Sequence, residues 1–89
     1  MQEEDRVETI IVEICIGITE NVSDFVLPAH VPVDALIVEI IRLVEQVFPH
    51  LTFDDEMPML CDRDKGTVIP GNLTLAQAGV RDSSRLLLL

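Results

Sequence analysis

Alternate positions from Ile10 to Ile16 are aliphatic without a break: Ile10, Val12, Ile14 and Ile16. The set between them, Thr9, Ile11, Glu13 and Cys15, is mixed. A period of two with one purely apolar set predicts a strand that buries one face and leaves the other mostly outside. Turn chemistry follows in "GITEN", Gly17 to Asn21. A second strand is predicted in "VSDFVLPAH", with Phe25 and Leu27 directed inward. A connection this short makes the two strands an antiparallel hairpin.

The period then changes. In "VPVDALIVEIIRLVEQVFP", Leu36, Ile37, Ile40, Val44, Val47 and Phe48 recur at steps of three and four. Val38, Glu39, Arg42, Glu45 and Gln46 lie opposite. This is the pattern of an amphipathic helix laid on the apolar face of the sheet. Pro32 suits the first helical position and Asp34 puts a negative charge in the first turn. Pro49 ends the helix, because the residue before proline resists helical dihedrals. Beyond it come the acidic connection "LTFDDE", a short strand in "MPMLCD" with Leu60 inward, and the turn "RDKG". A brief strand "TVI" and the turn "PGN" precede "LTLAQAG", a single helical turn closed by Gly79 as a left-handed cap. The last strand spans Ser84 to Leu89. The expected order is β-β-α-β-β-turn-β, with the first and last strands parallel and the helix in the crossover between them.

With 89 residues, 48% hydrophobic and only 3% aromatic, the chain supports one small domain with an aliphatic core. The expected division is a flexible N-terminus at residues 1–6 and a single domain at 7–89. No apolar run approaches the roughly 18 residues that span a bilayer, and "RLLLL" is far too short to be an anchor. The opening "MQEEDR" is acidic where a signal peptide is basic and then apolar, so a cytoplasmic location is expected. The net charge of −10 would repel a phosphate backbone or an anionic membrane, which argues against nucleic-acid binding. Cys15 and Cys61 form no CxxC pair and read as reduced thiols.

The order of elements, with these landmarks, resembles ubiquitin: an α+β protein of the β-grasp fold, its mixed sheet packed on one amphipathic helix. The most specific stretch is "LTLAQAGVRDSSRLLLL", in which a threonine-leucine opens a short helical turn and an apolar strand follows. Together with "VPVDALIVEIIRLV" it is similar to the bacterial YukD/EsaB-type ubiquitin-like proteins, and to the N-terminal domain of the membrane component EccD. Both belong to type VII (WXG100/ESX) secretion systems. The resemblance implies an accessory protein that is not conjugated and acts by protein–protein docking. Its implied partners are cytosolic parts of the membrane-embedded secretion machinery, and it is met as a free protein or brought to the inner face of the membrane by a partner. The alternative is a modifier or sulfur carrier activated at its C-terminus. That chemistry needs a slim Gly-Gly tail, and here the sequence reads leucine up to Leu89.

Alternation sorts the final leucines. With Leu86 and Leu88 inward, Leu87 and Leu89 face outward. In the β-grasp order the last strand lies between the first and third, which sets Leu87 and Leu89 near Ile11 and Cys15. With Leu60 inward, Cys61 also faces out. The expected protein-binding patch is therefore Ile11, Cys15, Cys61, Leu87 and Leu89, a face that could also pair two copies as a homodimer. The two cysteines lie two strand spacings apart, roughly 10 Å, which exceeds disulfide reach.

Other signals point to no chemistry. "DRDKG" starts like a calcium loop but lacks the later ligands, since the twelfth position from Asp62 is Leu73. His30 and His50 flank the helix region without a second ligand at metal spacing. Asp54, Asp55 and Glu56 read as a hydrated loop, and Ser83 and Ser84 have no evident base. No catalytic residue, metal site, cofactor or small-molecule substrate is expected.

Overall fold

The computed structural model describes residues 8–17, 21–49 and 58–89. The expectation for residues 1–6, His50 and the carboxylates at 54–56 lie outside them. Five strands and one helix follow the expected order: β1 (Thr9–Ile16), β2 (Asn21–Pro28), α1 (Val33–Val47), β3 (Leu60–Asp62), β4 (Thr67–Val68) and β5 (Arg85–Leu88). They form one mixed sheet in the order β2-β1-β5-β3-β4. β5 is parallel to β1 and antiparallel to β3. The C-terminal strand thus holds the centre of the sheet, as the β-grasp arrangement requires.

The inward set is as the alternation implied. Ile10, Val12, Ile14 and Ile16 of β1 are buried, with Leu60 of β3 and Leu86 and Leu88 of β5. They join Val33, Leu36, Ile37, Ile40 and Val44 of α1 in one aliphatic core. Leu27 is buried too, while Phe25 packs against the core half-buried. Val47 departs from the expected stripe, at 69% exposure. The helix closes there: Phe48 leaves helical dihedrals at φ −124, ψ 77, and its N–H caps the Val44 carbonyl. Phe48, the next residue of the expected stripe, does pack against the core. A cavity of about 190 Å³ remains between this end of α1 and β2.

Pro32 is not the first helical residue but the one before it, with an extended ψ of 141 and no side-chain cap. Carbonyls of a neighbouring loop satisfy the exposed helix donors instead. Val33 N–H donates to Leu73 O at 2.8 Å and Asp34 N–H to Gly71 O at 3.0 Å. The approach is close enough that a Cβ on Gly71 would stand 1.9 Å from Asp34 Oδ1.

The turn at "LTLAQAG" is held by a reciprocal capping pair. Gln77 N–H donates to Thr74 Oγ1 at 3.1 Å, and Thr74 N–H to Gln77 Oε1 at 3.0 Å. Gly79 ends it at φ 79, the left-handed conformation the sequence suggested. Lys65 Nζ reaches over from the β3–β4 turn to donate to Ala78 O at 2.8 Å. Asp62 holds inward parity and is 3% exposed, yet it is satisfied: its Oδ1 accepts from Asp64 N–H and Lys65 N–H. Its carboxylate therefore shapes the "RDKG" turn. Among the described residues no helix is long and apolar enough to cross a membrane.

Candidate functional site

The helix packs on one face of the sheet, and on the other Ile11, Val22, Val68 and Leu89 are exposed. On that outer face, register decides which side chains meet. Cys15 pairs with Val22 of β2 on one side and with Leu87 of β5 on the other. Leu87 pairs in turn with Cys61, and Cys61 with Val68. Paired residues point to the same side of a sheet, so Val22, Cys15, Leu87, Cys61 and Val68 form one apolar row across all five strands. Leu89 lies one row further along, where it exchanges both backbone hydrogen bonds with Met59 at 2.9 and 3.0 Å. Gly17 clears the space beside it, since a Cβ there would stand 3.0 Å from Leu89 Cδ2 and 3.8 Å from Leu87 Cδ1.

Four of the five expected patch residues are thus neighbours: Cys15, Cys61, Leu87 and Leu89. Ile11 is not, and the expectation that it lies near Leu87 and Leu89 is corrected. The parallel register opposes Glu13 to Arg85 and Cys15 to Leu87. Ile11 therefore lies two rows before Leu87, where its carbonyl accepts from Ser83 N–H and its own N–H donates to Asp82 Oδ1. It is 51% exposed and pairs with Val26 of β2. Sequence reasoning missed Val22, Val68 and Met59. For Val22 the signal was the hairpin register, and for Val68 the short turn that folds it back beside Cys61. Both thiols are free and half-exposed, with Leu87 standing between them.

A charged row runs beside the apolar one. It reads Asp24, Glu13, Arg85 and Arg63 from β2 to the end of β3. Arg85 is held by Asp64, whose carboxylate accepts from its backbone N–H at 3.0 Å and its Nε at 2.9 Å. The backbone bond first, and then the guanidinium, hold the Asp64 carboxyl below its ordinary value. His30 Nε2 lies 2.6 Å from Glu8 Oε1 at the surface, just past the paired ends of β1 and β2. Among the described residues no group of three His, Cys, Asp or Glu is placed to hold a metal ion.

The family model described as "WXG100 protein secretion system (Wss), protein YukD" matches residues 9–88. Among solved structures, the EccD5 ubiquitin-like domain from Mycobacterium xenopi is 27% identical, with 92% of this chain and 93% of that one covered at a TM-score of 0.76. The ubiquitin-like domain of the Mycobacterium tuberculosis type VII secretion protein ECCD1 is 25% identical, over 92% of this chain and 98% of that one, at a TM-score of 0.74. A chain of the MycP5-free ESX-5 inner membrane complex shares the fold at 20% identity and a TM-score of 0.77; 91% of this chain covers 20% of that one. No curated protein matches the sequence.

Proposed function

This chain belongs to the YukD family of WXG100 (type VII) secretion systems, and we propose that it serves there as a non-conjugated ubiquitin-like adaptor. It docks other proteins on the outer face of its sheet, and no bond is made or broken. The observation that carries this reading is the apolar row from Val22 to Val68, unbroken across five strands on the face opposite the helix. Its partners are cytosolic parts of the secretion machinery. The likeness to ubiquitin-like domains of EccD supports that choice. In this reading the protein works in the cytoplasm and meets the membrane through a protein partner.

A patch of roughly 300 Å² yields about 7 kcal/mol of gross apolar stabilisation. Association costs an estimated 4–15 kcal/mol. The leucines alone bind weakly, so polar contacts must add the remainder.

Leu87→Asp tests the reading. The variant is expected to lose binding to purified cytosolic domains of the secretion machinery, while its circular dichroism is unchanged and its stability falls by about 1 kcal/mol. Undiminished binding by this variant would sink the assignment. A second copy of the chain would use the same leucines, and light scattering at several concentrations reads that case directly.

A further inference from the structure

The charged row beside the leucines carries an imbalance. Register sets Glu13 of β1 directly opposite Asp24 of β2. Like charges directly opposite across two strands repel. Arg85 neighbours Glu13 on the other side. Its guanidinium turns away, however, with Nε and Nη2 each 2.9 Å from Asp64 Oδ1. Among the described residues neither Glu13 nor Asp24 has an ion-pair or side-chain hydrogen-bond partner. Both carboxylates help to line an open surface cavity of about 230 Å³, with Ile11, Val12, Ser83 and Arg85.

Two apolar cross-strand pairs flank the acidic one. Ile11 and Val26 stand on one side, Cys15 and Val22 on the other. Along β1 and β2 the outer face therefore reads apolar, acidic, apolar, with a two-residue step of roughly 6.7 Å. An extended segment with side chains on one side at that same step would present apolar, basic, apolar.

We infer that the outer face selects a protein segment that places an arginine or lysine between Glu13 and Asp24, with apolar side chains to either side of it. This deepens the docking role proposed above and depends on it. One cation between two carboxylates makes charge-assisted hydrogen bonds to both and removes their mutual repulsion. The same pair rejects a segment with an acidic residue at that position, so it supplies specificity where the leucines supply only area. It is also a polar contact of the kind the weak apolar patch requires.

The probes are three peptides: acetyl-Leu-Ser-Arg-Ser-Leu-amide and its counterparts with glutamine or glutamate in place of arginine. Each is titrated into the whole chain while the amide resonances are followed by NMR. The arginine peptide is expected to shift Glu13, Asp24 and Leu87 with an affinity about three-fold or more above the glutamine peptide, and the glutamate peptide to be weakest. The Glu13→Gln/Asp24→Asn double variant should lose that preference while melting no lower than the parent, because a repulsion has been removed. Glu45→Gln, an exposed charge on α1, should keep it. A preference that survives the double variant, or that Glu45→Gln diminishes equally, means general attraction to an acidic protein and overturns the inference. Leu87→Ala separates the two readings. If it weakens all three peptides and no arginine preference exists, the docking face stands and the basic anchor is wrong. If it weakens none, the face itself is wrong.

Discussion

Leu86 and Leu87 are the same side chain one residue apart, and they do different work. Leu86 is fully enclosed, between Ile14 of β1 and Asp62 of β3 in register. Leu87 is half-exposed between two cysteines. Leu88 and Leu89 repeat the contrast, at 1% and 53% exposure. Parity along the strand, and not residue type, separates what holds the fold from what is available to another molecule. The run of leucines is neither a membrane tail nor surplus hydrophobicity; it is two surfaces threaded on one strand.

Alanine at each position is the strongest way to break this contrast. Leu86→Ala leaves a cavity where no solvent enters and should cost about 2–5 kcal/mol in urea unfolding. Leu87→Ala should cost about 1 kcal/mol or less, because much of its surface is already wet. Equal costs would mean that the outer face is as structural as the inner one.

Asp62 sharpens the contrast from the polar side. It shares inward parity with Leu86, and it remains buried because two turn amides donate to its carboxylate. Asp62→Ala strands those donors and should cost about 1–3 kcal/mol, with the β3–β4 turn amides losing hydrogen-exchange protection first. A variant as stable as the parent would show that the turn holds its shape without the carboxylate.

The smallest effect is expected on the outer face, at Asp64. Its carboxyl is held below the ordinary value of 3.8 by the backbone N–H and guanidinium of Arg85. A carboxyl lowered by folding stabilises the native state above its unfolded-state pKa, and that contribution fades as pH falls through the lower, folded value. Asp64→Asn should therefore be slightly less stable than the parent at neutral pH. The difference should close as pH falls below 3.8 and through the native value. Because the pair is exposed, a gap that persists in strong acid would point to packing and not to charge.

Much of the fold was legible because its signals are local. A period of two marked β1, a period near 3.6 marked α1, and glycine with a left-handed φ marked the turn at Gly79. The capping pair of Thr74 and Gln77 was passed over, though the two stand at capping-box spacing. Misreadings gathered at the ends of elements. Val47 and Phe48 both continued the apolar stripe on paper; Phe48 packs against the core as expected, but Val47 is left outside where the chain leaves the helix. The candidate face was half legible. Cys15, Cys61 and Leu87 follow from parity plus strand order, whereas Ile11 was misplaced because the offset between parallel β1 and β5 is written nowhere near either strand. The clamp of Asp64 on Arg85 was invisible because the two residues lie far apart in the chain, whereas the pair of Glu13 and Asp24 followed from the same hairpin register as Val22.

By itself, then, the sequence determined which side chains point to the helix and which point away, since alternation needs no more than a residue's immediate neighbours. Only the tertiary structure decided which outward side chains share a row. Register between strands distant in the chain is chosen by packing the whole aliphatic interior at once, and a shift of two residues would preserve every inward leucine while scattering the outer row. The interior of this protein is a property of its pattern; its binding surface is a property of its alignment.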